Sequence, residues 1–124
     1  MLAIFSNTLE NAQILSESLQ RYWNARGVYK STSLFDVEAE FLSAMRSRPF
    51  GCVILDRMKN SIELIVKIQD LHPSCKIAVV TDNKDQKKDN ETALACYDLG
   101  IELMLPIADF ELPLAKLSKK LKIV

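Results

Sequence analysis

The chain has 124 residues, 48% of them hydrophobic and 26% charged, the size and make-up of one globular domain spanning residues 1–124. Sixteen basic and sixteen acidic residues cancel, so no overall field draws it to nucleic acid or to an anionic membrane, and no direct nucleic-acid binding is expected. The apolar runs fall far short of the ~20 residues that cross a bilayer, and the N-terminus lacks a basic region, apolar stretch and small-residue cleavage site, so a cytoplasmic protein without membrane attachment is expected.

Residues 2–5 are a short apolar run that predicts a strand. Leu9, Ala12, Leu15, Leu19 and Tyr22 or Trp23 then recur at helical spacing up to Gly27. Residues 28–32 are β-prone and predict a second strand, and Leu34, Val37, Phe41 and Met45 predict a helix that Pro49 ends. A third strand is expected over 52–55 and a third helix over 61–71, where Leu64, Ile65, Ile68 and Leu71 turn to a core before Pro73. Residues 76–80 supply a fourth strand. Residues 82–92 hold no apolar side chain and predict a long polar loop, followed by a late fourth helix through Ala93, Leu94 and Tyr97 to Gly100. The last unit is a strand over 102–105 and a helix over 109–122, with Phe110, Leu114, Leu117 and Leu121 on one stripe and lysines crowding its final turns, where cations suit the helix dipole.

Five strands alternating with five helices imply right-handed crossovers, hence a doubly wound (βα)5 fold of class α/β with helices on both faces of a parallel sheet. "CVIL" and "IAVV" are apolar throughout, as strands covered on both faces require. Cys52, Cys75 and Cys96 are odd in number and lack C-x-x-C spacing, so reduced, buried thiols are expected and neither a disulfide framework nor a zinc site. His72 precedes Pro73 with no second histidine or nucleophile nearby and reads as a surface residue at a helix end.

In such sheets ligands meet the carboxyl ends of the strands. Those ends carry Ser6 and Asn7, Asp56, Thr81 and Asp82, and Leu105 with Pro106. With "VILD", "AVVT" and "LPI" at these places, nearly the whole chain resembles the response-regulator receiver family, the CheY-like domains of two-component systems, whose flavodoxin-like strand order is 2-1-3-4-5. The resemblance puts Asp56 at the phosphoacceptor position and Thr81 at the switch hydroxyl. It also marks departures. Ser6 and Asn7 stand where the family has an acidic pair for magnesium, Leu105 stands where it has a lysine before Pro106, and Asp82 and Met58 crowd places usually small or polar.

Acyl-phosphate formation loads about two negative charges onto a carboxylate and needs positioned cations. Without them, phosphate on Asp56 would face Asp82 at a cost of several kcal/mol at an effective dielectric near 20. A buried carboxylate near Asp82 with no lysine beside it is expected to resist ionisation, so Asp56→Asn is expected to be neutral or mildly stabilising. No cofactor is expected, magnesium included, and no metal site.

No nucleophile–histidine pair or glycine-rich phosphate loop suggests an enzyme. In the first loop, Leu9 and Glu10 argue against a flavodoxin-type phosphate site. The resemblance leaves an atypical, phosphorylation-independent receiver domain that acts as an interaction or dimerisation module in signal transduction or transcriptional regulation. The alternative is a working phospho-switch at Asp56 with an unconventional metal site. Receivers dock through helix four, strand five and helix five, which here would offer Tyr97, Ile101, Met104 and Ile107 with Lys116 and Lys119 at the rim, to a protein partner or a second copy. Such domains are often joined to an output domain, which would lie outside this chain.

Overall fold

The computed structural model describes residues 1–48 and 50–81, the backbone of 102–104, and residues 114, 115, 118, 119 and 121. Its elements are β1 (Leu2–Ser6), α1 (Leu9–Asn24), β2 (Thr32–Phe35), α2 (Glu38–Ser47), β3 (Cys52–Asp56), α3 (Ser61–Leu71), β4 (Lys76–Thr81) and β5 (Glu102–Met104). The strands are parallel in the order β2-β1-β3-β4-β5. This is the expected doubly wound arrangement.

Strand alternation divides the core in two. Ala3, Phe5, Val53, Leu55, Ile77 and Val79 face α2 and α3, whereas Leu2, Ile4, Ile54, Ala78 and Val80 face α1 together with Leu114 and Leu121. Both faces are covered, which is why these strands are apolar at consecutive positions. Helix α1 starts at Thr8, whose hydroxyl accepts from the Asn11 N–H, and buries Ala12, Leu15, Leu19 and Trp23, while Leu9 remains exposed. Trp23 is fully buried, and its Nε1–H donates to Ser118 Oγ over 2.7 Å, while Ser118 donates to Leu114 O. Leu114, Ala115, Ser118 and Lys119 are helical, as expected of the last unit. The fourth helix and the polar loop before it lie outside the described residues.

The second unit differs from the sequence expectation. Gly27, at φ 73°, takes the left-handed turn after α1, and residues 28–31 form no strand; Tyr29 is 77% exposed. Strand β2 begins at Thr32 because its register with β1 pairs Leu2 with Thr32 and Phe5 with Phe35. That choice carries Leu34 to the α1 side and Phe35 into an aromatic cluster, 5.6 Å from Phe41 and 6.3 Å from Phe50. Burial outweighs the β propensity of Val28 and Tyr29. Val37 is consequently the residue that caps α2, without a side-chain bond, and not part of its apolar stripe. His72 also departs from expectation. It is half-buried, and its Nε2 contacts Met45 O, which ties the end of α3 to α2. Of the thiols, Cys52 is half-buried and Cys75 buried, both free. Among the described residues no helix is long and apolar enough to cross a membrane.

Candidate functional site

The register of β1 against β3 sets Ser6 opposite Asp56, and Asp56 lies opposite Val80, one residue before Thr81. Three strand ends thus bring Ser6, Asp56 and Thr81 together, and all three are fully buried. Asn7 N–H donates to Asp56 O and Arg57 N–H to Val80 O, so the chain is pinned on both sides of the site as it leaves the sheet.

Ser6 Oγ donates to Asp56 Oδ2 over 2.8 Å and lies 3.1 Å from Asn7 Oδ1. A hydroxyl has one proton, and the shorter, charged acceptor has the stronger claim to it. Asn7 Oδ1 is served separately by Asn11 Nδ2 at 2.8 Å. The other carboxylate oxygen, Asp56 Oδ1, takes an ion pair from Arg57 Nε at 3.1 Å. Arg57 is the residue that the sequence reading missed. The family resemblance implies a lysine at the position of Leu105; the structure supplies a cation from the residue that follows Asp56 in the chain. To reach back, Arg57 adopts φ 58°, a left-handed backbone that costs a non-glycine residue about 1–2 kcal/mol. Strain at such a position is tolerated where surrounding contacts enforce it. Here Arg57 N–H is held by Val80 O and the side chain by Asp56. Burial would penalise the Asp56 charge, but a guanidinium and a hydroxyl now balance it.

Met58 is half-buried against the core on the α2–α3 side, and its carbonyl accepts from Ser61 Oγ at the start of α3. Asn60, just before Ser61, donates to Glu38 Oε1, and Lys67 meets Glu38 Oε2 at 3.3 Å. These bonds fix the loop after β3 against α2. Magnesium asks for an octahedral oxygen shell anchored by carboxylates. Among the described residues the donors fit that poorly: one carboxylate, with one oxygen bonded to a hydroxyl and the other to a cation. Among the described residues no three His, Cys, Asp or Glu side chains form a metal-binding group.

Of the face expected to dock partners, Met104 lies on β5 at the edge of the sheet and Lys119 is helical and exposed. Tyr97, Ile101, Ile107 and Lys116 lie outside the described residues, as do Asp82, Leu105 and Pro106.

No protein-family model and no curated protein matches this chain. Solved structures do match its fold. An orphan response regulator of H. pylori, HP1043, superposes with TM-score 0.73 at 16% identity over 98% of this chain and 96% of that one. A CheY-like receiver domain protein from Methanospirillum hungatei gives 0.72 at 18% identity over 98% and 92%. The chemotaxis protein CheY4 of Vibrio cholerae gives 0.73 at 14% identity over 99% and 97%. The chain has the fold of response-regulator receiver domains.

Proposed function

We propose that this chain is an atypical receiver-type module that acts through protein contacts in signal transduction or transcriptional regulation in the cytoplasm, without phosphorylation and without magnesium. One observation carries the reading: Asp56 is fully buried, with Oδ2 accepting from Ser6 and Oδ1 paired with Arg57. Phosphoryl transfer to an aspartate needs a carboxylate oxygen to attack phosphorus while cations take up charge on the equatorial oxygens. Attack by either oxygen would here break a bond that stabilises the unmodified residue. Arg57, the cation at hand among the described residues, is spent on the ground state, and catalysis gains only from what is stronger in the transition state. Ser6 and Asn7 add no charge to hold a metal.

The partner, or a second copy, docks on the face of the fourth helix, β5 and the fifth helix, with Met104 within it and Lys119 on its rim. Incubation with acetyl phosphate and magnesium, followed by intact-mass measurement, is expected to leave the mass unchanged, and calorimetry is expected to show no saturable magnesium binding at millimolar concentration. A mass gain of one phosphoryl group that Asp56→Asn removes would overturn this reading in favour of a phospho-switch.

A further inference from the structure

Among the described residues Arg57, at φ 58°, is the one non-glycine residue with a left-handed backbone. Such outliers gather at switch regions, where the surroundings enforce a conformation that the residue alone would leave. Arg57 opens the short loop of residues 57–60 between the end of β3 and the start of α3. The far end of that loop also departs from local preference. Asn60 is the N-cap of α3, a position whose side chain ordinarily accepts from an N–H two or three residues on. Here it makes no cap bond, and its backbone, at φ −106° and ψ 40°, is not the extended one that capping favours. Its Nδ2 donates instead to Glu38 Oε1 at 3.0 Å.

Both ends of the loop therefore give up a local preference for an acidic partner. At Arg57 the partner is the fully buried Asp56; at Asn60 it is Glu38, which is 39% exposed in the first turn of α2. The ends are tied to each other. Rotation about φ of Arg57 leaves its own N–H on Val80 O and swings the chain that follows, and with only Met58 and Lys59 between them Asn60 cannot then keep its place.

We infer that residues 57–60 are a two-position latch between the buried carboxylate and the surface of α2 and α3. In the closed position, the one described above, Arg57 holds Asp56 and Asn60 holds Glu38. In the open position Arg57 takes an ordinary negative φ and its guanidinium leaves Asp56, while Asn60 turns extended and its Oδ1 accepts from the N–H of Ile62 or Glu63. Each position has contacts that the other lacks, which is what allows an event at one end to bias both. A cation that draws Glu38 away from Asn60 thereby releases Arg57 from Asp56, and release of Arg57 frees Glu38 in return. The latch stands whether or not Asp56 accepts a phosphoryl group.

The test is limited trypsin digestion of the full folded chain, with the bonds cut identified by mass. Trypsin needs an arginine side chain free to enter its pocket from an extended backbone, and in the closed position Arg57 is left-handed with its side chain 19% exposed. Cleavage after Arg57 therefore follows the open population, and cleavage after Arg21, inside α1, follows general unfolding. Asn60→Asp sets a carboxylate against Glu38 and improves the cap, and Glu38→Ala removes the acceptor. Each is expected to raise the rate after Arg57 about fivefold or more relative to the rate after Arg21. Asp56→Asn, which removes the ion pair at the other end, should leave the latch mostly open, so that Asn60→Asp adds less than about twofold in that background. Three results overturn the latch: a rate after Arg57 that neither surface variant changes, a rise shared equally by Arg21, or an effect of Asn60→Asp as large in the Asp56→Asn background as in the wild type.

Discussion

Replacing Ser6 with alanine removes a hydroxyl that donates to a fully buried carboxylate over 2.8 Å. A hydrogen bond to a charged group contributes ~1.5–3 kcal/mol, so Ser6→Ala should cost about 2 kcal/mol. Asp56→Asn keeps the volume, and its amide oxygen can still accept from Ser6, but its NH2 group then meets Arg57 Nε, donor against donor. The Arg57 side chain is only 19% exposed and Asp56 is fully buried, so loss of the ion pair should cost about 2 kcal/mol. The neutral outcome expected when no cation was assigned to Asp56 is therefore revised. Asp56→Ala removes both interactions and should cost about 2–4 kcal/mol. The decisive measurement is a double-mutant cycle in urea, followed by the fluorescence of the buried Trp23. With Asp56 replaced by alanine, Ser6→Ala should cost about 1–2 kcal/mol less than it does in the wild type. Equal costs in both backgrounds would refute the coupling on which the closed site rests.

Because Arg57 sits at φ 58°, Arg57→Gly should be more stable than Arg57→Ala by about 1 kcal/mol in the same urea assay; the reverse order would contradict a left-handed backbone there. Ser118→Ala removes the acceptor of the buried Trp23 Nε1–H and should cost about 1–3 kcal/mol with a shift in tryptophan emission; unchanged stability and spectrum would mean that the two do not meet. Burial pushes the Cys75 thiol up to about 12 from an ordinary 9.0. Between those values the unfolded chain has released the proton and the folded chain still holds it, so this contribution is intact below pH 9 and is lost as pH rises toward 12, by at most ~1.4 kcal/mol per pH unit. Cys75→Ala should flatten that alkaline limb, and an equally steep limb in both proteins would count against a buried thiol.

What the sequence showed plainly was periodicity. Residues 61–71 were expected to be helical and are α3, because four apolar residues on one stripe and a proline shortly beyond leave little choice. The second strand was displaced by several residues because Val28 and Tyr29 have as much β propensity as the residues that form β2. What distinguishes them is register against β1 and the ring contacts of Phe35, which exist only once the fold does. Asp56 was legible as the polar stop to an apolar run. Arg57 stood beside it in the sequence, but a side chain that turns back on its own predecessor requires a positive φ, which no pattern of apolar spacing announces. The available signal was chemical: a buried carboxylate without its usual lysine must find a cation, and the next residue is one.

The Trp23–Ser118 hydrogen bond joins residues 95 apart in the chain. A ribosome adding about 5–20 residues per second needs on the order of ten seconds to travel from one to the other. Throughout that time the α1 side of the sheet lacks Leu114 and Leu121, and the indole N–H has no Ser118 to receive it. The nascent chain therefore carries an unfinished apolar surface until the segment that holds Leu114 and Leu121 has left the exit tunnel. This half of the core closes only once that segment has emerged, and a chain stalled before that point would be the form that chaperones and proteases encounter.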